Sequence, residues 1–365
     1  MKNQLQLNVP FTGFTNLDFI SCFTSIYVYF EKIPLRGGDG RCVQSRGEGC
    51  NNCGNCGTSN PIRDLEPYHF LFDTMSGQSA LRLRFDGEPT EMQKLIGETN
   101  EEGCGTDYTV DFLFGFAGYE YQKLTAADSF KEAIIASIDK GNPVIARVSG
   151  NNGRFRVITG YDNDTLICPS FINAQNKPGG APSYNDLNTL YIIGDKITPC
   201  YGVLDGLKRI QKVMAYNIKE NLWGGYTEKI GLYTSDSLNN CAIEEKKARM
   251  KRIADTMWHT FNCHNFAEVF RKYRDGNASV YENVADMKKL SNPVLHDLWN
   301  NIGGPCNGYT HDLAWALIGV DECADWTKHA AGYFGEMVEL TIYRIRDNDK
   351  GAYEAINKAI KVLEK

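Results

Sequence analysis

From Phe19 to Glu31 the chain places apolar side chains on nearly every face of the helix it would form. A helix without a polar face has to be enclosed by other elements, so this run predicts a helix buried inside a domain. It is too short to cross a bilayer, which takes roughly 20 apolar residues. Nor does it read as a secretion signal: Asp18 stands where a basic region belongs, and Glu31, Lys32 and Pro34 follow in place of a small-residue cleavage site. The reading is a cytoplasmic chain with its thiols reduced.

The 365 residues suffice for two domains. Up to about residue 235 the sequence mixes short strands, Gly/Pro/Asn turns and a few helices. Thr90 with Gln93, and Ser129 with Glu132, form capping-box pairs. The second pair opens a helix running to about Lys140, where Gly141 and Pro143 stop it. Strands are expected at Val144 to Ser149, Phe155 to Tyr161, Thr165 to Cys168 and Leu190 to Ile193. The Asp162-Asn163-Asp164 turn joins the middle two as a hairpin. From Glu244 onward, amphipathic segments at about 244–274, 279–290, 309–319, 323–346 and 350–364 are broken at Gly276, Pro293, Gly303-Gly304-Pro305 and Asp347-Asn348-Asp349, which predicts a helical bundle. The expected fold class is α+β, with a domain over 1–235 and an all-α domain over 243–365.

Lys and Arg number 39 against 45 Asp and Glu, so the net charge is −6. That balance gives no electrostatic reason to bind nucleic acid or an anionic membrane. Twelve cysteines are present, and four of them fall within fifteen residues as Cys42-x7-Cys50-x2-Cys53-x2-Cys56. The surrounding segment, 37–61, is rich in Gly and Asn and cannot form a core. Four thiols close a tetrahedral zinc site or a cubane iron–sulfur cluster, and the spacing does not choose between them. The alternative is a surface loop of free or partly disulfide-bonded thiols. A metal here would have a structural job, fixing a loop that buries little apolar surface.

Cys22 stands near the start of the buried helix, where the positive end of the helix dipole favours a thiolate. On position alone the core-cysteine reading is the favoured one, because cysteine is so often simply a buried residue. Downstream come Gly141-Asn-Pro-Val-Ile-Ala146, then Gly153-Arg-Phe-Arg-Val-Ile-Thr-Gly-Tyr-Asp162, then a short strand ending at Cys168-Pro169. A cysteine-bearing helix followed by these segments resembles the papain-like fold. The resemblance is to the branch of the bacteriocin-processing peptidases and the N-terminal domain of the butirosin-biosynthesis acyltransferase. It implies a buried helix packed on an antiparallel sheet, with 37–61 as an insertion and the tail as a helical accessory domain. Carried over residue by residue, it places the nucleophile on Cys22, the oxyanion donor on Asn16, the general base on Arg154 and the orienting acid on Cys168. An Arg cannot take the thiol proton at neutral pH, so the usual Cys-His dyad is missing at those positions.

Six histidines are present, five of them beyond residue 243. His259 with Cys263, and His264 with Glu268, are spaced by four residues, but the two pairs point to adjacent sectors. His264, His311 and Trp315 are candidates to line a substrate cleft in the helical domain, with core packing the alternative. Three functions follow. One is amide formation by acyl transfer through Cys22, with an acyl substrate that is a small molecule or carrier-bound, as in specialised-metabolite or peptide biosynthesis. Another is a degenerate papain-like binding or accessory protein that sequesters a small molecule or peptide. The third is a redox protein built on the cysteine cluster. No organic cofactor is expected, and a homodimer stays open.

Overall fold

The computed structural model describes residues 2–5, 11–12, 18–32, 61–81, 90–96, 107–149, 155–168, 171–172, 182–220, 289–302 and 350–365. The architecture is α+β, helices packed with largely antiparallel sheet, in two compact units. One unit comprises residues 1–72 and 98–200, the other 73–97 and 201–365. The boundary read at 235–243 and the Cys42, Cys50, Cys53 and Cys56 loop lie outside the described residues.

In the first unit, β1 (Lys2–Gln4), β2 (Phe11–Thr12), α1 (Asp18–Phe30) and α2 (Pro61–Ser76, whose last turn enters the second unit) open the chain. After α3 (Glu91–Ile96) of the second unit come α4 (Asp107–Ala117), β3 (Tyr119–Leu124), α5 (Phe130–Asp139), β4 (Val144–Val148), β5 (Phe155–Ile158), β6 (Gly160–Asp162), β7 (Thr165–Ile167), β8 (Phe171–Ile172) and β9 (Leu187–Lys196). The central sheet runs β3-β9-β4-β5, all antiparallel; β1-β6-β7 form a second antiparallel sheet and β2 pairs with β8 in parallel.

The all-round apolar pattern of α1 does what it predicts: every residue from Phe19 to Val28 is buried. Its polar members bond within the helix, Thr24 Oγ1 donating to the Ile20 carbonyl (2.7 Å) and Ser25 Oγ to that of Ser21 (3.0 Å). Aromatic rings enclose the helix, with Phe23 edge-on to Phe72 and Phe114 at 4.9 and 5.0 Å and Tyr27 edge-on to Phe72 at 5.0 Å. α5 ends as its sequence predicts. Gly141 takes φ +89°, its N–H reaches the Ile138 carbonyl, and the Asn142 N–H reaches that of Ser137, closing a Schellman motif.

The Thr90–Gln93 capping box forms, with bonds of 2.7 and 3.0 Å. The Ser129 box does not: a short 3-10 turn over Ala127–Ser129 leads into α5, and the Ser129 hydroxyl bonds the Ala126 carbonyl instead. The hairpin turn at Asn163 forms, joining β6 and β7. Phe155 to Tyr161 is not one strand but two, because Thr159 leaves the central sheet to bond Ile167 and Leu5, and the chain then enters the β1-β6-β7 sheet.

Gly160 marks that change of sheet. A Cβ there would sit 2.5 Å from the Asn3 carbonyl oxygen and 2.9 Å from the Gln4 Cα, both backbone atoms. Gly160→Ala is therefore expected to push β1 away and cost about 1–3 kcal/mol, read as a lower urea midpoint. An unchanged midpoint would mean that β1 yields without loss.

The second unit contains α3, α6 (Val203–Lys219), α7 (Asn292–Ile302) and a helix over 350–363. Pro293, read as a helix break, instead lies in the first turn of α7, where its missing N–H costs no bond. Within this unit Arg209 Nε donates to the Ser76 carbonyl (3.0 Å), and Asn217 Nδ2 to that of Ala80 (2.9 Å), tying α6 to the chain that leaves α2. No helix among the described residues is long and apolar enough to cross a membrane.

Candidate functional site

Cys22 is the fifth residue of α1 and is fully buried. It opens the second turn of the helix, so the thiol stands just above the positive end of the helix dipole. Around it the helix meets the sheet through Phe19, whose ring lies edge-on to Phe155 of β5 and Tyr191 of β9, each at 5.3 Å.

Register sorts the central strands into two faces, because directly opposed residues of an antiparallel pair share a face. Ile145 opposes Val157 and Tyr191, and Arg147 opposes Phe155 and Thr189, so these residues belong to the α1 face. Val144, Ala146, Ile158 and Leu190 belong to the other, where they pack with Phe130, Ile134 and Ile138 of α5. Arg156 opposes Ala146 and shares that second face.

Cys168 packs against the α5-side cluster. Burial pushes its thiol up to about 12, against an opposing pull from Arg156, so it is a neutral thiol at physiological pH. A carboxylate in its place would carry charge; this thiol does not. The structure thus sets Cys22 and Cys168 on opposite faces of the sheet rather than bringing them together. Asn16, Arg154, His264, His311 and Trp315 lie outside the described residues, as do the four clustered cysteines.

The first unit has a single histidine in its sequence, His69 on α2, and it is buried. Desolvation lowers its pKa to about 4, so it holds a proton poorly. That disfavours a thiolate–imidazolium pair with His69 as the cation. Among the described residues no three His, Cys, Asp or Glu side chains converge as metal ligands.

One residue that the sequence reading passed over is Arg147, a cation only 8% exposed on the α1 face. Its available signal was a lone charge inside the apolar strand Val144–Val148. No known family model matches the chain, and no curated protein is similar to it.

Proposed function

We propose that this chain is a catalytically degenerate papain-like protein that holds a small molecule or peptide rather than cleaving one, with its helical C-terminal region as an accessory bundle. The observation that carries the reading is a completely buried Cys22 whose aligned acid position holds a neutral thiol on the opposite face of the sheet. Nucleophilic catalysis by a thiol needs a thiolate, access to the substrate and a group to move its proton. Arg154, aligned with the base, cannot accept one, and His69 is buried with a low affinity for protons.

A second reading is acyl transfer. It draws support from the place of Cys22 just above the start of α1, where the dipole favours a thiolate. In that reaction Cys22 would displace the thiol of an activated thioester, on a small molecule or a carrier protein. It would then pass the acyl group to an amine, giving an amide and regenerating the Cys22 thiol.

Alkylation separates the two. At pH 6 an ordinary thiol is only about 0.3% thiolate, so an activated one stands out by about a hundredfold. Under the binding reading, iodoacetamide at pH 6 modifies Cys22 no faster than the exposed Cys200, as followed by peptide mass mapping. Labelling of Cys22 at ten or more times the Cys200 rate would overturn that reading in favour of acyl transfer.

A further inference from the structure

Within the second unit, the end of α2 carries a run of buried polar side chains. Thr74 and Ser76 are 0% exposed, and Gln78, in the 3-10 turn that follows (Gln78–Ala80), is 2% exposed. Several polar groups of this stretch are paired. The Ser76 hydroxyl donates to the Asp73 carbonyl (3.0 Å), and the Ser76 and Ala80 carbonyls accept from Arg209 and Asn217 of α6. The Thr74 hydroxyl and both ends of the Gln78 amide are different: Thr74 Oγ1, Gln78 Oε1 and Gln78 Nε2 are shut away from solvent and bond to no protein atom.

Such burial is costly unless something answers those atoms, because a hydroxyl or an amide forfeits its bonds to water on entering the interior. Where no protein atom supplies the answer, native proteins use an ordered water with about two to four polar partners. The backbone brings the two side chains to one turn. Gly77 stands between them at φ +85°, and its N–H bonds the Thr74 carbonyl (3.0 Å), so the chain folds back on the last turn of α2. The residue after such a glycine frequently packs an apolar side chain on the helix, whereas Gln78 puts an amide there. Apart from its chain neighbours, the atoms nearest a Cβ built on Gly77 are Ile96 Cδ1 at 3.4 Å, Val213 Cγ2 at 3.6 Å and the Arg209 carbonyl carbon at 3.7 Å. These are ordinary contact distances, so α3 and α6 stand off from the turn by the width of a methyl group, which a water resembles in size.

We infer that Thr74 and Gln78 form an internal hydration site, in which one water bridges the Thr74 hydroxyl to the Gln78 amide and pins the turn that ends α2. Water suits the place because it both donates and accepts, as a hydroxyl facing an amide requires. A larger ligand would have to part α6 from the turn that Arg209 and Asn217 hold.

The test is a double-mutant cycle in the full chain. Thr74→Val and Gln78→Met nearly keep the side-chain shapes and remove the polar atoms. Each change strands the remaining partner of a shared water, and each is expected to lower the thermal midpoint by about 2–4 °C. The double variant should lose no more than the larger single loss, because both changes break the same bridge. A midpoint unchanged or raised in either single variant would mean that its polar atoms had no partner to lose. Losses that add in the double variant would mean two separate sites, and either result overturns the inference. Should a variant fail to fold, a high-resolution crystal structure of the wild type decides. It should show a water within hydrogen-bonding distance of both Thr74 Oγ1 and the Gln78 amide, and an amide without such a water overturns the inference equally.

Discussion

Alanine at position 19 is expected to cost the first unit about 3–5 kcal/mol, the range for truncating a fully buried aromatic side chain. Phe19 is 1% exposed, and its ring meets Phe155 and Tyr191 edge-on at 5.3 Å and lies over Phe23 at 6.3 Å. Edge-on aromatic pairs add roughly 0.5–1.5 kcal/mol each beyond the area they bury. Truncation removes two such pairs at once and leaves a void between a helix and a sheet, neither of which can close it without giving up its own packing. Hydrogen exchange of the β4 and β9 amides reads this unit alone and should accelerate by roughly a hundredfold or more at 1.4 kcal/mol per factor of ten. The alkylation of the buried Cys22 should rise with it, because Cys22 shares α1 with Phe19 and is exposed as the helix loosens. A loss below about 1 kcal/mol would mean that Phe19 does not fasten the helix to the sheet.

The contrast between α1 and β4 shows why part of this structure can be read from sequence and part cannot. α1 is apolar on every side, and a helix with no polar face has only one fate, so its burial from Phe19 to Val28 follows from local composition. The stop at Gly141 and the turn at Asn163 are equally local, each needing backbone that few residues adopt. β4 is different. Val144, Ile145, Ala146 and Arg147 are all buried, so no polar alternation tells which of them faces α1. That assignment comes from pairing with β5 and β9, in which partners lie up to 48 residues apart, Val144 opposing Ile192. The same holds for the candidate site. The place of Cys22 on its helix is legible from sequence, whereas Cys168 can be assigned to the α5 side only once the α5 cluster is seen to pack against it. The catalytic set is what the resemblance implies; on which side of the sheet Cys168 lies is set by packing that its neighbours in sequence do not announce.

Acid should destabilise the protein through His69 in a window that follows from its burial. The imidazole is 1% exposed, and desolvation holds its pKa at about 4, against 6.5 for an exposed histidine. Above about pH 6.5 the residue is neutral whether the chain is folded or unfolded, so it contributes nothing to the pH dependence. Between 6.5 and 4 the unfolded chain takes up a proton that the folded one refuses, and stability falls as the pH falls. Below about 4 both forms are protonated and the loss levels off. At 1.36 kcal/mol per pH unit the gap amounts to about 3 kcal/mol. Carboxylates titrate over part of the same range, so the wild type is compared with His69→Gln, which cannot take up a proton there. Urea unfolding at pH 7.5 and at pH 4 should show the wild type losing about 3 kcal/mol more than the variant between the two conditions. Above pH 7 the variant is the less stable of the two, because an amide with its own donors and acceptor replaces a buried imidazole. Equal losses in the two proteins would show that His69 accepts its proton in the folded state, and would return it to consideration as the base that Cys22 otherwise lacks.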